Sequence, residues 1–111
     1  MIIDVARQLN QAILESEEYR CYQDARRKVL QNVELYQAMN AFRRKNYELQ
    51  NVEDGLNHYE DIRNLTKEYE QILKHPLVND FLRAEQIISR KMNKVYEVIV
   101  EGVDMDYDYM E

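Results

Sequence analysis

The chain has 111 residues, of which 45 % are hydrophobic and 32 % charged, with 2 glycines and 1 proline. That length fits one domain, the apolar share excludes wholesale disorder, and the shortage of turn formers argues against β architectures, which need turn residues about every 8–12 positions. A formal charge of −6 makes nucleic acid a poor direct partner, because phosphate binding needs a basic surface or a strong basic patch.

Cys21 is the only cysteine, so neither an internal disulfide nor a thiolate metal cage can be built within one chain. Residues 1–16 carry Asp4 and no basic segment ahead of a long apolar run, so no signal peptide is expected. No run approaches the roughly 18 apolar residues of a membrane span. The expectation is a soluble, cytoplasmic helical protein with no membrane partner and no cofactor.

The first helix is expected over 4–15. Val5, Leu9, Ala12 and Ile13 share a face at spacings of three and four, and Asp4 is placed to cap the first turn. Ser16 is the next cap, followed by Glu17 and Glu18 where the helix dipole is positive. The second helix, over 17–31, lines up Tyr19, Tyr22, Ala25, Val29 and Leu30. Asn32 breaks the chain, and a third helix from Val33 carries Leu35, Met39, Phe42, Asn46 and Leu49. The pattern fades over 51–55, where Asp54 and Gly55 form a turn-like pair.

A fourth helix follows with Leu56, Tyr59, Ile62, Leu65, Tyr69, Ile72 and Leu73, folding back on the third as an antiparallel pair; the alternative is one bent helix, since a single glycine is a weak breaker. It ends before Pro76, which restricts the residue ahead of it and suits the first position of a fifth helix. That last helix carries Leu77, Val78, Phe81, Leu82, Ile88, Met92, Val95 and Ile99 on one line. Ile87, Tyr96, Val98 and Val100 lie off it, so the helix is apolar on two sides. A small chain of long helices has limited surface to cover both, which favours self-association over a compact monomer whose other helices cover both faces. Gly102 stops the helix. The acidic stretch 104–111 reads as a frayed tail; read instead as an extended strand, it would put Met105, Tyr107 and Tyr109 on one side.

No constellation for catalysis or metal binding emerges. The tail's Asp104, Asp106 and Asp108 open like a calcium loop, but Tyr109 stands where that loop needs glycine and the closing glutamate is missing. A di-iron bundle needs Glu-x-x-His motifs; Gly55 precedes His58 by three positions and Ile72 precedes His75, so neither fits. Cys21 lies beside Arg20, which could lower a thiol pKa, but no histidine is assigned as its base, and a passive small side chain is the simpler reading. Arg26, Arg27 and Lys28, with Arg43, Arg44 and Lys45, form a candidate basic patch if the second and third helices pack as a hairpin; ordinary solvated charge is the simpler account. Nine tyrosines, most of them on helices, suit partly wet protein interfaces.

Three segments carry a resemblance: S-E-E-Y-R-C-Y-Q-D-A-R (16–26), E-L-Y-Q-A-M-N-A-F-R-R-K-N-Y-E-L-Q (34–50) and H-P-L-V-N-D-F-L-R-A-E (75–85). They resemble the YlbF/YmcA family of small helical bacterial proteins, over residues 5–103. The resemblance implies an all-helical, oligomer-forming cytoplasmic protein without enzymatic activity. It further implies an accessory role in competence, sporulation and biofilm development, through complexes with family relatives that direct the endoribonuclease RNase Y in mRNA processing. Some members contribute cysteines to iron–sulfur clusters; Cys21 stands alone here, so ligation would need several chains.

The sequence therefore predicts an all-α antiparallel bundle of about five helices, a single domain over 1–103 and a flexible tail. Its function is a non-enzymatic adaptor that works as a dimer or tetramer, the alternative being a structural homo-oligomer or a small-ligand-binding bundle with no nuclease connection. Candidate core and interface residues are Tyr19, Tyr22, Phe42, Phe81, Leu82, Ile88, Met92, Val95 and Ile99.

Overall fold

The computed structural model describes residues 1–53 and 55–110, the side chain of Met110 excepted. Asp54, half of the expected turn pair, and Glu111, the end of the expected tail, lie outside the described residues. Those residues form six helices and no strand: α1 (Ile2–Leu14), α2 (Glu17–Leu30), α3 (Val33–Gln50), α4 (Tyr59–Glu68), α5 (Glu70–Lys74) and α6 (Pro76–Val100), with one 3-10 turn at Asp108–Met110. The all-α class is as expected.

The breaks follow local chemistry. Ser16 clasps both helices at its corner: its Oγ accepts a hydrogen bond from the Tyr19 N–H at 3.2 Å and donates to the Ile13 carbonyl at 2.6 Å, so one hydroxyl serves the end of α1 and the start of α2. Asn32 Oδ1 accepts from the Leu35 N–H at 3.2 Å, capping α3. Pro76 opens α6, and His75 Nδ1 accepts from the Leu77 N–H at 3.2 Å. Gly102 ends the last helical stretch at φ +77°, a conformation glycine adopts without steric cost.

Three boundaries differ from the sequence reading. The first helix begins at Ile2, and Asp4 is no cap; it sits in the first turn, 3.8 Å from the N-terminal ammonium. The fourth helix starts at Tyr59, where Asn57 Oδ1 accepts the Tyr59 N–H at 2.9 Å and holds 56–58 outside. It is then interrupted at Tyr69 (φ −99°, ψ 17°), giving six helices where about five were expected. The apolar line Leu65–Tyr69–Leu73 runs straight through this break, so periodicity gives no sign of it. The Tyr69 ring lies 5.7 Å from that of Phe42, and its hydroxyl accepts a hydrogen bond from Lys45 at 3.0 Å. These contacts hold the bend and let α5 lean on both α3 and α6.

The core sits where α2, α3 and α6 meet: Val29, Leu35, Met39, Val78 and Phe81, backed by half-buried Tyr22, Ala25, Tyr36, Leu77 and Leu82. Leu65 and Ile88 are the remaining buried hydrophobic side chains among the described residues. Helices α2 and α6 run antiparallel, Tyr22 meeting Phe81 at 5.5 Å between ring centroids and Glu18 meeting Lys91 at 3.0 Å.

This small core supports a thin, spread molecule. The backbone spans 49 × 39 × 17 Å with a radius of gyration of 18.3 Å, against about 13 Å for a compact chain of this length. A thickness of 17 Å is filled by two packed helices with axes about 8–10 Å apart. The accessible surface is 9391 Å², whereas a compact monomer of 13.5 kDa exposes about 6,500 Å².

Phe81 of α6 lies against Tyr22 of α2 and under Arg43 of α3 and is 2 % exposed. Phe81→Ala is expected to lower the unfolding free energy by about 3–5 kcal/mol, and Ser16→Ala by about 1 kcal/mol, measured by urea denaturation. A Phe81→Ala loss under about 1 kcal/mol would contradict this core.

Candidate protein-interaction surface

The α2/α6 seam is built from complementary rows. On α2, Tyr19 stacks on Tyr22 at 6.2 Å, and Tyr22 leans on Phe81. Arg43 of α3 reaches across: its guanidinium lies 5.1 Å from the Phe81 ring centroid, bonds Asn40 at 3.1 Å and pairs with Glu85 of α6. The planar guanidinium suits both tasks, stacking on a ring while its edge donates to a carboxylate. At the far end of the seam, Lys91 Nζ lies 3.0 Å from Glu18. The Lys91 hydrogen bond, more than its charge, holds the Glu18 carboxyl below the ordinary carboxylate range.

Between α2 and α6 runs an open groove of about 510 Å³. Cys21, Ala25 and Ala84 leave its floor shallow, Leu77 and Ile87 make it apolar, and Glu17, Asp24, Asp80, Lys28 and Arg83 rim it with both signs of charge. Cys21 is exposed there. Among the described residues, no three His, Cys, Asp or Glu side chains converge as a metal site.

Beyond Lys91 the last helix outruns α2. Along that free length Met92 and Val95 are half-buried, Ile99 is 53 % exposed, and Tyr96, Val98 and Val100 are exposed. The second apolar side that the sequence assigned to this helix is thus open to solvent. Helix α1 adds a second open face. None of its residues is buried; Ile2 is 84 % and Val5 50 % exposed, while Leu9 and Ile13 are half-covered.

The nine core and interface candidates therefore occupy three settings. Phe81 and Ile88 are buried; Tyr19, Tyr22, Phe42, Leu82, Met92 and Val95 are half-buried; Ile99 is exposed. Ile2 and Ile3 escaped the sequence reading, because the first helix was started at Asp4. The signal was present: Ile2, Val5, Leu9 and Ile13 follow one another at three, four and four.

The two basic triplets engage separate neighbours. Arg26, Arg27 and Lys28 are exposed on α2, with Arg27 paired to Asp24 at 2.9 Å. Arg43 is drawn to α6, Lys45 stands 5.2 Å over the Tyr69 ring, and Arg44 is exposed. In the tail, Tyr107 and Tyr109 rings lie 6.4 Å apart and the Tyr107 hydroxyl approaches Met105 Sδ at 3.5 Å. The tail forms a 3-10 turn over Asp108–Met110, where the alternative reading had an extended strand. No helix among the described residues is long and apolar enough to cross a membrane.

The Glu18–Lys91 contact has a testable signature. Because the folded-state pKa of Glu18 is depressed, the contact stabilises above the unfolded carboxylate value and is lost as pH falls through the folded one. Its exposure keeps the effect small. A carboxyl NMR titration should place Glu18 below an ordinary glutamate, and Lys91→Met should return it upward. An unchanged Glu18 titration in Lys91→Met would contradict the contact.

Compared with known families, residues 2–104 match the one described as "Control of competence regulator ComK, YlbF/YmcA". Similar proteins include a UPF0342 protein of Symbiobacterium thermophilum, 32 % identical over 108 residues and covering 96 % of each chain. A UPF0342 protein of Staphylococcus epidermidis is 28 % identical over 108 residues, covering 96 % of this chain and 95 % of the relative. Another, from Caldicellulosiruptor saccharolyticus, is 26 % identical over 94 % of this chain and 88 % of its own. No solved structure matches the chain significantly.

Proposed function

Since the chain belongs to the YlbF/YmcA family, whose description is control of the competence regulator ComK, we propose that it is a non-enzymatic helical adaptor that acts by gripping other polypeptides. The observation that carries this reading is the pair of open apolar faces on α1 and on the free end of α6. Contiguous exposed apolar surface of this kind marks association sites, and Tyr96, exposed on the free end of α6, is of the type enriched at protein interfaces. The adaptor works as a homo-oligomer in the cytoplasm, and within complexes of family relatives it serves RNase Y-dependent mRNA processing and, through it, competence, sporulation and biofilm development. An acidic chain would then influence RNA through a nuclease partner, with no need to bind phosphates itself.

The α2/α6 groove favours a second reading, a small-ligand-binding bundle. Its volume of about 510 Å³ falls in the range of ligand pockets, about 300–1,000 Å³, and a ligand seated there would raise the melting temperature by mass action.

Affinity capture of the tagged full-length chain from its native host, under gentle conditions, is expected to recover RNase Y or family relatives reproducibly. Their absence, together with a melting temperature that rises with a small molecule, would replace the adaptor by the ligand-binding bundle.

A further inference from the structure

We infer that the groove between α2 and α6 seats an amphipathic helix of a foreign protein, about three turns long, whose flanks carry charges in a set order. The inference rests on the adaptor reading and names the surface that does the gripping. One wall is the line Glu17, Cys21, Asp24 and Lys28 on α2, at spacings of four, three and four. The other is Leu77, Asp80, Ala84 and Ile87 on α6, at three, four and three. Each line runs about 15–16 Å, the length of three helical turns. The small side chains of Cys21, Ala25 and Ala84 let a third helix approach closely, while Leu77 and Ile87 offer apolar contact at the two ends. An amphipathic helix lays its apolar face into a trough of this shape. A small-molecule pocket buries about 70–90 % of its ligand, whereas this trough is walled on two sides and open along its length.

The charges select the occupant. Glu17, Lys28, Asp80 and Arg83 border the groove and are exposed, and none of them makes an ion pair or a side-chain hydrogen bond with a described residue. Their neighbours are engaged, Asp24 with Arg27 at 2.9 Å and Glu18 with Lys91 at 3.0 Å. Because α2 and α6 run antiparallel, Glu17 stands at the Ile87 end of the groove and Lys28 at the Leu77 end. A complementary helix, followed from the Glu17 end to the Lys28 end, presents a base to Glu17, an acid to Arg83, a base to Asp80 and an acid to Lys28. Each of the four groups then gains a partner as it loses water. A helix with the opposite order sets like charge against like at all four places and is rejected.

The chain's own helices do not supply this order, so the occupant is foreign. On α1 the only charged residues are Asp4 and Arg7; both fall on the side opposite its apolar stripe, and the flanks of that stripe are neutral. At the free end of α6, Lys94 is paired with Glu97 at 3.5 Å, and Lys91 is held by Glu18. The apolar faces of α3 and α4 are spent inside the fold, where Leu35, Met39 and Leu65 are buried. Nor does α1 cover the groove within its own chain, since Cys21 on the groove floor is exposed.

The test uses the full-length protein, in which Cys21, the only cysteine, reports from inside the groove. Two synthetic helical peptides share one leucine stripe; the first carries the base–acid–base–acid order on its flanks, and the second has every sign reversed. The first should bind about tenfold or more tightly than the second by fluorescence anisotropy, and its binding should slow alkylation of Cys21 by iodoacetamide in step with occupancy. Ile87→Glu, at a 47 % exposed position, and Arg83→Glu should both keep full helicity by circular dichroism; Ile87→Glu should abolish binding of the first peptide, and Arg83→Glu should weaken it. The inference is overturned if neither peptide binds, if both bind equally, if Cys21 in the bound state reacts as fast as in the free protein, or if Ile87→Glu binds unchanged. Protection of Cys21 that grows with the protein's own concentration would put a second copy in the groove and overturn it too. Capture of RNase Y or family relatives by Ile87→Glu as fully as by the unaltered chain would overturn the groove while leaving the adaptor reading intact. Failure of the unaltered chain to capture them counts against the adaptor reading, and the peptides then decide the groove by themselves.

Discussion

Surface cannot be hidden by a chain that has too little bulk to hide it. With 111 residues drawn into helices as long as 25 residues, the molecule becomes a slab two helices thick, and each helix can cover at most one side of its neighbour. The hydrophobic driving force scales with the area removed from water. Here it is satisfied at one junction, where Val29, Met39, Val78 and Phe81 interlock, and left unsatisfied at the end where α1 and the last turns of α6 project. The rest of the structure follows from that imbalance.

The polar contacts serve the junction. Arg43 ties α3 to α6 through Glu85 while lying over Phe81. Glu18 and Lys91 clasp the end of the α2/α6 seam, and Tyr69 joins α3 to the bend between α4 and α5. Each fixes an angle between helices, and those angles decide which apolar stripes face outward. Membership of a family described by control of a competence regulator sits naturally with a molecule whose informative chemistry is shape and greasy surface.

The sequence made the local grammar legible. Ser16, Asn32, Pro76 and Gly102 act through atoms within three or four residues, so their roles could be read directly. The break at Tyr69 could not, because Leu65, Tyr69 and Leu73 keep an unbroken helical spacing and the bend is held by Phe42 and Lys45, more than 20 residues away. The Arg43–Glu85 and Glu18–Lys91 pairs were hidden for the same reason. The open face of α1 was half visible. Its stripe was plain from Val5 to Ile13, but amphipathicity tells which side wants cover and is silent on whether the fold provides it. On α6 the excess of apolar residues beyond one stripe did foretell an uncovered side, and the structure places that side at the helix's free end.

The central claim is that the α1 stripe is covered in solution by something its own chain does not supply. Amide hydrogen exchange along α1, followed as the protein is diluted, tests this directly. The account predicts that residues 5–13 are protected about as strongly as α2 at high concentration and lose that protection on dilution while α2 keeps its own. Rapid exchange along α1 at every concentration, or protection that dilution leaves untouched, would contradict it.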